Sequence, residues 1–430
     1  MMSSVSASKE STAGADRARG LNVGTEAHDA GQSRRAPDVA LLTGAADKPY
    51  AVGLALALSG HGLQVEVVGG DEVVSSELLN DPRIVFLNLR DQRPEPSAAK
   101  KMFRILVHYV KLIRYAATTR APVFHVLWNN KFEHFDRTLL VLYYRALGRR
   151  IVHTAHNVNA RKRDGNDTWW NRFTLGLQYR LSDHIFVHSA RMKQELVTEF
   201  SVPEAKATVI PFGLNSTVPN SAMSSAEARR RLGLNDGEKA LLFFGNIAAY
   251  KGLDYLVKAF EAVAARDHKY RLIIAGRRKA GDDHWRDVEA AIARSPVRDR
   301  MIERIEYIPD EETEIYFKAA DVLVLPYTHI FQSGVLFLGY NFGLPALAAD
   351  VGSLREEIVA GETGFVFRPK DDADLARCID AYFQSSLYCQ LESRRPEIRA
   401  YAAERYSWRK VAATTASIYA DVVAAAARKR

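Results

Sequence analysis

Two parts of this 430-residue chain carry residue types that could hold a phosphorylated ligand. Ser333 and Gly334 follow an apolar run that predicts a buried strand, and they precede a pattern that predicts a helix. A helix N-terminus offers free backbone N–H groups and the positive end of the helix dipole, and a glycine lets a ligand approach closely. Lys251 also precedes a predicted helix, and a cation facing that terminus would neutralise a diphosphate. The simpler alternatives are a serine N-cap and a solvated loop lysine.

His156 could act as an acid, a base or a hydrogen-bond partner. It follows the predicted strand Arg150–Thr154 within the sequence TAHN, and an unperturbed imidazole titrates near neutral pH. The simpler alternative is a histidine whose hydrogen bonds are satisfied in a turn. His153 lies inside the strand and is interpreted as structural, so His156 is the candidate of the two.

Alternating strands and helices must position these residues. The sequence predicts strands at 38–43, 63–68, 84–89, 123–128, 150–154 and 184–188, and then at 239–244, 270–275, 304–308, 322–326 and 346–349. A βαβα rhythm of this kind indicates parallel sheets with helices on both faces. Two such sets predict two doubly wound α/β domains facing each other across a cleft, where ligands bind beyond the carboxyl ends of the strands.

The domain boundaries follow from composition and rhythm. Residues 1–36 are rich in Ser, Ala and Gly and predict a disordered N-terminal tail. We predict a first Rossmann-like domain over residues 37–212 and a second over residues 224–406, joined by a linker over residues 213–223 that is rich in turn-forming residues. A helix over residues 407–430 ends the chain.

The overall composition narrows the class of protein. Lys and Arg outnumber Asp and Glu by 59 to 51, and the resulting net charge of +8 is consistent with anionic partners. The sequence has no nucleic-acid-binding module, no signal-peptide pattern and no apolar run of about 20 residues that could cross a bilayer. Its two cysteines cannot form a disulfide framework. We therefore predict a cytoplasmic protein, and because no cluster of metal ligands is visible we expect neither a metal ion nor a cofactor.

Residues 98–117 predict one helix with a cationic side. At about 100° per residue, apolar side chains fill one half of this helix. The other half carries Lys100, Lys101, Arg104, His108, Lys111 and Arg114. We expect the apolar half to pack in the core, and we predict that the basic half contacts an anionic membrane. The simpler alternative is a basic half that is only solvated.

Three stretches together resemble a known family. They are IVHTAHNVNA from Ile151, VIPFGLN from Val209 with FGNIAAYKGLDYLVKAF from Phe244, and QSGVLFLGYNFGLPALAADVGSLREEIVAGETGFVFRP from Gln332. On these motifs the chain is similar, from Asp38 onward, to the GT-B glycosyltransferases, and above all to the bacterial family 4 sugar transferases.

The resemblance implies roles for both domains. The second domain would bind a nucleotide-sugar donor, the first would bind the acceptor, and the last helix would cross back to the first domain. Lys251 would contact the donor phosphates, and His156 would contact the transferred sugar near the reacting carbon. Asn157 would bind a sugar hydroxyl.

The chain also departs from the family pattern. Two glutamates spaced as Glu-x7-Glu are typical there, and the matching positions are Ile330 and Leu338. Many members carry an arginine where this chain has Asn246. We expect Asn246 to contact the donor, and Arg277 or Arg278 to replace the missing arginine there. This variant resembles a subgroup associated with bacterial surface polysaccharide assembly. Retention of configuration is the family expectation.

The sequence thus predicts a metal-independent, hexosyltransferase-type GT-B enzyme. It would move a sugar from a nucleotide-diphosphate sugar to a lipid-linked glycan acceptor at the inner face of the plasma membrane. The missing glutamates and arginine leave a second interpretation open, a catalytically impaired protein of the same fold that binds sugar nucleotides or acts as a scaffold. A third, a periplasmic-type binding protein, is disfavoured by the Lys251 motif and by the lack of a signal sequence.

Overall fold

A computed structural model describes residues 35–44, 47–90, 97–163, 165–214, 218–278 and 284–428. The tail predicted for residues 1–36 lies outside the described residues apart from its last two positions. Residues 36–430 form one unit that contains two parallel β-sheets.

The first sheet has seven parallel strands in the order β3-β2-β1-β4-β5-β6-β7. Their bounds are β1 (Val39–Leu42), β2 (Val65–Gly70), β3 (Ile84–Arg90), β4 (Val123–Val126), β5 (Arg150–Thr154), β6 (His184–Val187) and β7 (Ala207–Val209). The central strands are covered by helices on both faces, and this burial explains why their sequences are apolar runs.

Four of the eight α-helices described in the first half begin at a serine or threonine whose side chain caps the helix, and Ser75 is one of these caps. Ser97, Thr168 and Ser189 each accept a hydrogen bond from a backbone N–H of the first turn that follows. The helices are α1 (Lys48–Gly60), α2 (Ser76–Asn80), α3 (Ala98–Thr118), α4 (Glu133–Phe135), α5 (Val141–Ala146), α6 (Ala160–Arg163), α7 (Trp169–Leu181) and α8 (Ala190–Phe200), and a π-helical turn (Asp136–Leu140) links α4 to α5.

The second sheet has six parallel strands in the order β10-β9-β8-β11-β12-β13. The strands are β8 (Lys239–Phe244), β9 (Tyr270–Ala275), β10 (Met301–Arg304), β11 (Val322–Leu325), β12 (Ala346–Ala349) and β13 (Gly364–Phe367). The helices are α9 (Ser225–Arg231), α10 (Leu253–Ala264), α11 (His284–Arg294), α12 (Asp310–Ala319), α13 (Gly334–Asn341), α14 (Leu354–Glu357), α15 (Asp372–Phe383), α16 (Ser386–Cys389), α17 (Leu391–Arg405) and α18 (Trp408–Ala427).

In each sheet the strand order reverses beside the first strand of the set, between β1 and β4 and between β8 and β11. Crevices for ligands open at such switch points, beyond the carboxyl ends of the strands. Loops from both sheets border one cavity there. The predicted fold class, two Rossmann-like doubly wound domains facing each other across a cleft, is confirmed.

The last helix, α18, packs on α1 of the first sheet. The Tyr419 hydroxyl and His125 Nδ1 are 2.6 Å apart. Trp408, at the start of α18, lies against Gly53 of α1 and Gly213, where an added Cβ would come within 2.4 and 2.5 Å of its ring. The Trp408 indole N–H also donates to the carbonyl of Leu214 at 2.7 Å. The precise domain boundaries stay a prediction.

The structure corrects one predicted strand position and adds two strands. The strand expected at 304–308 lies earlier, at Met301–Arg304, because its partner β9 ends at Ala275, so the backbone beyond Arg304 has no strand to pair with. Two strands at sheet edges, β7 and β13, were not predicted. Both are short, and their neighbours in sequence are loops, so the apolar run that signals a strand is weak.

The structure also corrects the helix α3. His108, expected on the solvated basic half, is buried and lies 3.2 Å from the carbonyl of Leu89. The apolar half was expected in the core, but only its Tyr109 and Leu112 are buried. Five others are exposed, namely Met102, Phe103, Leu106, Val110 and Ile113. The helix lies rotated relative to the expected position, because the polar contact of His108 is made towards the sheet.

Candidate active site

A cavity of about 420 Å³ lies in the cleft at the carboxyl ends of β8 and β11. It is bordered by Asn246, Lys251 and Arg277 of the second sheet and, from across the cleft, by Asp47, which precedes α1. The structure therefore brings three of the predicted donor residues to one cavity.

Lys251 is held in place by the turn that contains it. The neighbouring Gly252 has φ +64°, and an added Cβ would lie 2.0 Å from the carbonyl oxygen of Pro326 at the end of β11. Only glycine permits this approach, so the turn is fixed against the central strand. Lys251 is buried, and its ammonium nitrogen lies 3.9 Å from the centre of the Tyr327 ring. Its positive charge thus sits at a defined point of the cavity wall.

The N-terminus of α13 is connected to the same tyrosine. The Ser333 hydroxyl lies 3.3 Å from the Tyr327 hydroxyl and makes no capping hydrogen bond to the helix, which was the simpler alternative for this serine. Gly334 is exposed, and an added Cβ would meet only Phe212, at 3.8 Å. The packing of the protein itself therefore does not demand a glycine at this position, whereas close approach of a ligand to the backbone would.

Asn246 and Arg277 form one unit beside Lys251. The Arg277 Nε donates to Asn246 Oδ1 at 3.2 Å, and the guanidinium lies 5.7 Å from the ring centre of Tyr307. Gly276 makes this possible, because its φ of +150° lets the end of β9 pass so close to Gly245 that an added Cβ would lie 1.8 Å from the Gly245 carbonyl oxygen. The expected replacement of the family arginine by Arg277 is geometrically available.

Gln332 was missed by sequence reasoning. Both polar atoms of its side-chain amide are buried without a hydrogen-bond partner among the described residues. A buried amide without partners is costly, so such a group usually meets a water molecule or a ligand. Its position next to Ser333 was the available signal.

His156 lies in an aromatic environment at the carboxyl end of β5. Its ring stacks on Trp128 at a centroid distance of 3.9 Å and meets the ring of Tyr50 edge-on at 4.6 Å. The ring centre of Phe212 lies 6.1 Å from that of His156, and the Phe212 ring stacks on Phe337 of α13. Since Phe212 also borders Gly334, His156 is one aromatic ring away from the N-terminus of α13.

Hydrogen bonds define the tautomer of His156. The carbonyl of Ile210 can only accept, so His188 donates to it from Nδ1 at 3.2 Å. The Nε2 of neutral His188 is then an acceptor, and His156 donates to it from Nδ1 at 3.1 Å. This leaves His156 Nε2 as an acceptor, and it is buried without a partner among the described residues.

Burial also fixes the charge of this pair. It lowers the pKa of His156 far below its ordinary value, and the nearby His188 lowers the pKa further. Burial lowers the pKa of His188 to about 4. Both rings are therefore neutral at pH 7, and His156 presents a lone pair rather than a positive charge.

The remaining predicted residues are placed as follows. Asn157 is half-buried beside His156. His153 is buried in β5, where its Nδ1 donates to the carbonyl of Val126, in line with the structural role expected. Ile330 and Leu338, at the positions of the two family glutamates, are buried, and Leu338 borders the cavity. The membrane-face residues Lys100, Lys101 and Lys111 are exposed on α3, whereas Arg104 is half-buried.

Asp47 and His188 were also missed by sequence reasoning. Asp47 follows β1 after a glycine-bearing loop, a position at the carboxyl end of a strand that could have identified it. His188 follows β6 in the same way. Each becomes significant only when the strand order places β1, β5 and β6 in one sheet.

Comparison with known proteins agrees with this arrangement. The profile of glycosyltransferase family 4 matches residues 49–218, and that of glycosyl transferases group 1 matches residues 238–385. An uncharacterised glycosyltransferase of Methanocaldococcus jannaschii is 28% identical over 243 residues, which are 55% of this chain and 60% of that protein. The match thus spans less than two thirds of that relative.

Solved structures share the fold. Sucrose-phosphate synthase from Thermosynechococcus elongatus has a TM-score of 0.71 at 20% identity, over 91% of this chain and all of that one. The protein HepE from Anabaena, solved with UDP and glucose, has a TM-score of 0.68 at 16% identity, over 89% of this chain and 99% of that one. The two profiles cover the two sheets in turn, and the chain belongs to the GT-B glycosyltransferases of the family 4 kind.

Within the described residues, every helix is too short or too polar to cross a lipid bilayer.

Proposed function

We propose that this protein transfers a sugar from a nucleotide-diphosphate sugar to a glycan acceptor carried on a lipid, as a step in polysaccharide assembly. One observation carries the proposal. Lys251, Arg277 and the N-terminus of α13 converge on one side of the cleft, and His156 lies one aromatic ring away from that helix terminus. Anion-binding groups next to a hydrogen-bond acceptor fit a diphosphate joined to a sugar.

The donor would be held by its diphosphate. Lys251 supplies a fixed positive charge, Arg277 a second one, and the first N–H groups of α13 point towards the phosphate oxygens. The nucleoside would extend along the cavity towards Tyr307, the aromatic residue at the far side of Arg277. HepE, a protein of similar fold, was solved with UDP and glucose, which supports a nucleotide sugar as the donor class.

The sugar would then point towards His156. The lone pair on His156 Nε2 can accept a hydrogen bond from a sugar hydroxyl, and this orients the ring without adding a charge near the anomeric carbon. The Gln332 amide, buried beside Ser333, is a further candidate for hydroxyl contact.

Transfer breaks the bond between the anomeric carbon and the diphosphate oxygen and forms one to the acceptor hydroxyl. The acceptor proton passes to the departing phosphate oxygen if configuration is retained, the outcome we propose. Lys251, Arg277 and the helix N-terminus stabilise the negative charge that develops on the diphosphate. We also propose that no metal ion is needed, because these three groups can carry out that neutralisation.

The rival function is binding without transfer. It is favoured by Ile330 and Leu338, since two buried apolar side chains stand where relatives in the family carry glutamates. A protein that binds the donor but lacks a group essential for transfer would have this appearance.

Turnover separates the two functions. A panel of nucleotide sugars is screened by thermal shift, because a ligand that binds the folded form raises its apparent stability. The donor found is then incubated with the chain and membrane lipid extract, and release of nucleoside diphosphate is followed. Release that depends on the extract supports transfer. Binding without any release supports the rival.

The place of action is part of the proposal. Cys378 and Cys389 are both unpaired, as expected in a reducing compartment. We assign the protein to the cytoplasmic side of a membrane, where a lipid-linked acceptor can be reached from the water phase.

A further inference from the structure

One face of the first domain exposes an unusual number of large apolar side chains. Ten of the fourteen that stand exposed in the described part of the chain lie between residues 102 and 173. They are Met102, Phe103, Leu106, Val110 and Ile113 on α3, Leu139 on the π-helical turn and Leu142 on α5, and Trp169, Trp170 and Phe173 on α7. We call this set the α3–α7 face. Trp169 is the most exposed of them, at 75%.

These residues belong to neighbouring helices. The Tyr143 hydroxyl of α5 donates to the carbonyl of Ile113 in α3 at 3.2 Å. Trp170 of α7 lies 6.2 Å from His134 of α4, and α4 leads through the π-helical turn into α5. All these helices connect strands β3 to β6 and pack on the side of the sheet opposite α1 and α18. The apolar side chains therefore share one side of the domain.

Helix α3 is divided into three stripes along its length. His108, Tyr109, Leu112 and Ala116 form the buried stripe. At about 100° per residue, the exposed apolar residues follow next around the helix, and Lys100, Arg104, Lys111 and Arg114 form the third stripe. An apolar stripe and a cationic stripe thus lie side by side on the outward surface. This is the arrangement of a helix that lies in the interface of a bilayer.

We propose that the α3–α7 face docks on an anionic lipid bilayer and holds the cleft beside it; the inference deepens the lipid-linked acceptor of the proposed function. Charge supports this occupant, because residues 96–132 contain seven Lys or Arg and neither Asp nor Glu. The exposed tryptophans support it as well, since Trp is enriched where membrane meets water. A second copy of the chain fits less well, because a two-fold contact would bring two cationic stripes together.

Docking would orient the cleft. A helix that follows a parallel strand runs back from the carboxyl edge of the sheet, so the first turns of α3 and α7 lie near that edge. Trp169 and Trp170 belong to the first turn of α7, and Phe103 lies in the second turn of α3. The cleft and His156 lie at the same edge. The bilayer surface would therefore meet the acceptor side of the cleft, where a sugar on a lipid carrier could enter.

The test uses the full chain and vesicles. Wild-type protein should sediment with phosphatidylcholine vesicles that contain phosphatidylglycerol, much less with phosphatidylcholine alone, and less as salt is raised. Reversal of Lys100, Lys111 and Arg114 to Glu should weaken binding roughly a hundredfold, at about fivefold per cation. The triple substitution of Phe103, Leu106 and Val110 by Ser should lower it at least tenfold.

Matched controls separate docking from general effects. Changing Arg230, Lys258 and Arg399 to Glu alters the net charge equally on exposed positions of the second domain. Leu79→Ser removes an exposed leucine from α2, outside the α3–α7 face. Both controls should bind as wild type. Donor binding should be unchanged in every variant, so failure of docking can be told apart from failure of the proposed function.

Three outcomes would overturn the proposal. The first is no binding of wild type to anionic vesicles at low salt. The second is wild-type binding by the Ser variant, which would leave only a diffuse electrostatic attraction. The third is a dimer in light scattering that the Ser variant converts to a monomer while vesicles do not compete, which would identify a second copy as the occupant.

Discussion

The two sides of the cleft differ in charge: the side formed by the second sheet is positively charged, and the side formed by the first sheet is neutral around His156. On the second sheet, Lys251, Arg277 and the N-terminus of α13 concentrate positive charge and N–H donors on one cavity. On the first sheet, His156 is enclosed by Trp128 and Tyr50, and burial keeps it neutral. Under the proposed function, one side would hold the anionic part of the donor and the other would position its uncharged sugar.

The largest effect is expected at the neutral side. His156→Ala should reduce turnover by about a hundredfold or more, with donor affinity changed little, because the contact acts mainly in the transition state. Nucleoside diphosphate release and calorimetry measure the two quantities. His268→Ala, at an exposed position of the second domain, is the control. Near wild-type turnover in His156→Ala would remove this residue from the mechanism.

A somewhat smaller effect is expected at the charged side. Lys251→Met keeps the apolar stem but removes a charge-assisted contact of about 1.5–3 kcal/mol, so the dissociation constant for the nucleoside diphosphate should rise roughly ten- to a hundredfold. The control is Lys258→Met on the exposed side of α10. If calorimetry gives the wild-type constant for Lys251→Met, the division between the two sides is wrong.

The neutral state of His188, on the first-domain side of the cleft, can be tested by the pH dependence of the free energy of unfolding. Burial lowers the pKa of His188 to about 4, while in the unfolded chain it lies near 6.5. Between these values the unfolded chain binds more protons, so His188 stabilises the fold above pH 6.5 and this contribution is lost as pH falls towards 4. The free energy of unfolding, measured with urea, should rise less steeply with pH in His188→Gln than in wild type. The difference in slope should be about 1.4 kcal/mol per pH unit. Equal slopes would mean that His188 is not buried in its neutral form.

Other groups also titrate in this window. His153 behaves like His188, because burial lowers its pKa to about 4 as well. Asp136 has the opposite sign, since burial raises its pKa to about 6 and the folded chain then holds the extra proton. Both are present in wild type and variant alike, so their contributions cancel in the comparison of slopes.

The smallest effect is expected from the link between the two histidines. His188→Leu removes the acceptor that orients His156, which should lower turnover roughly three- to tenfold, the value of one neutral hydrogen bond. His188→Gln keeps both an acceptor and a donor and should restore most of the activity. A purely structural role would instead make the two variants equally active once their stabilities are matched.

Sequence reasoning was sufficient for the fold because its signals are local. Apolar strand runs and glycine-bearing turns identified most strands of both sheets, and the edge strands β7 and β13 escaped because they are short. Lys251, Ser333 and Gly334 were identifiable from their positions before helices, whereas the neutral side was harder to foresee. The link from Ile210 through His188 to His156 joins residues on different strands, and only the packed sheet brings them together.

The orientation of α3 also depends on contacts between residues that are distant in sequence. A helical wheel separates apolar from basic residues but does not say which direction faces the sheet. His108 turned inward because Leu89 and Asn130 offer it hydrogen-bond partners, and this contact moved the apolar stripe outward. Such partners lie far apart in sequence, so periodicity alone could not reveal them.

The packing of Trp408 restricts how the two domains could move relative to each other. The chain passes between the two domains near Gly213 and Leu214 and again just before Trp408, and the indole ties these passages together. Because both interdomain connections are held together at one point, that point can act as a hinge. A hinge motion about this point would keep the indole in contact with Gly213 and Leu214, whereas a sliding motion of one domain past the other would break these contacts. A hinge at this point would return Lys251 and His156 to the same relative position each time the cleft closes.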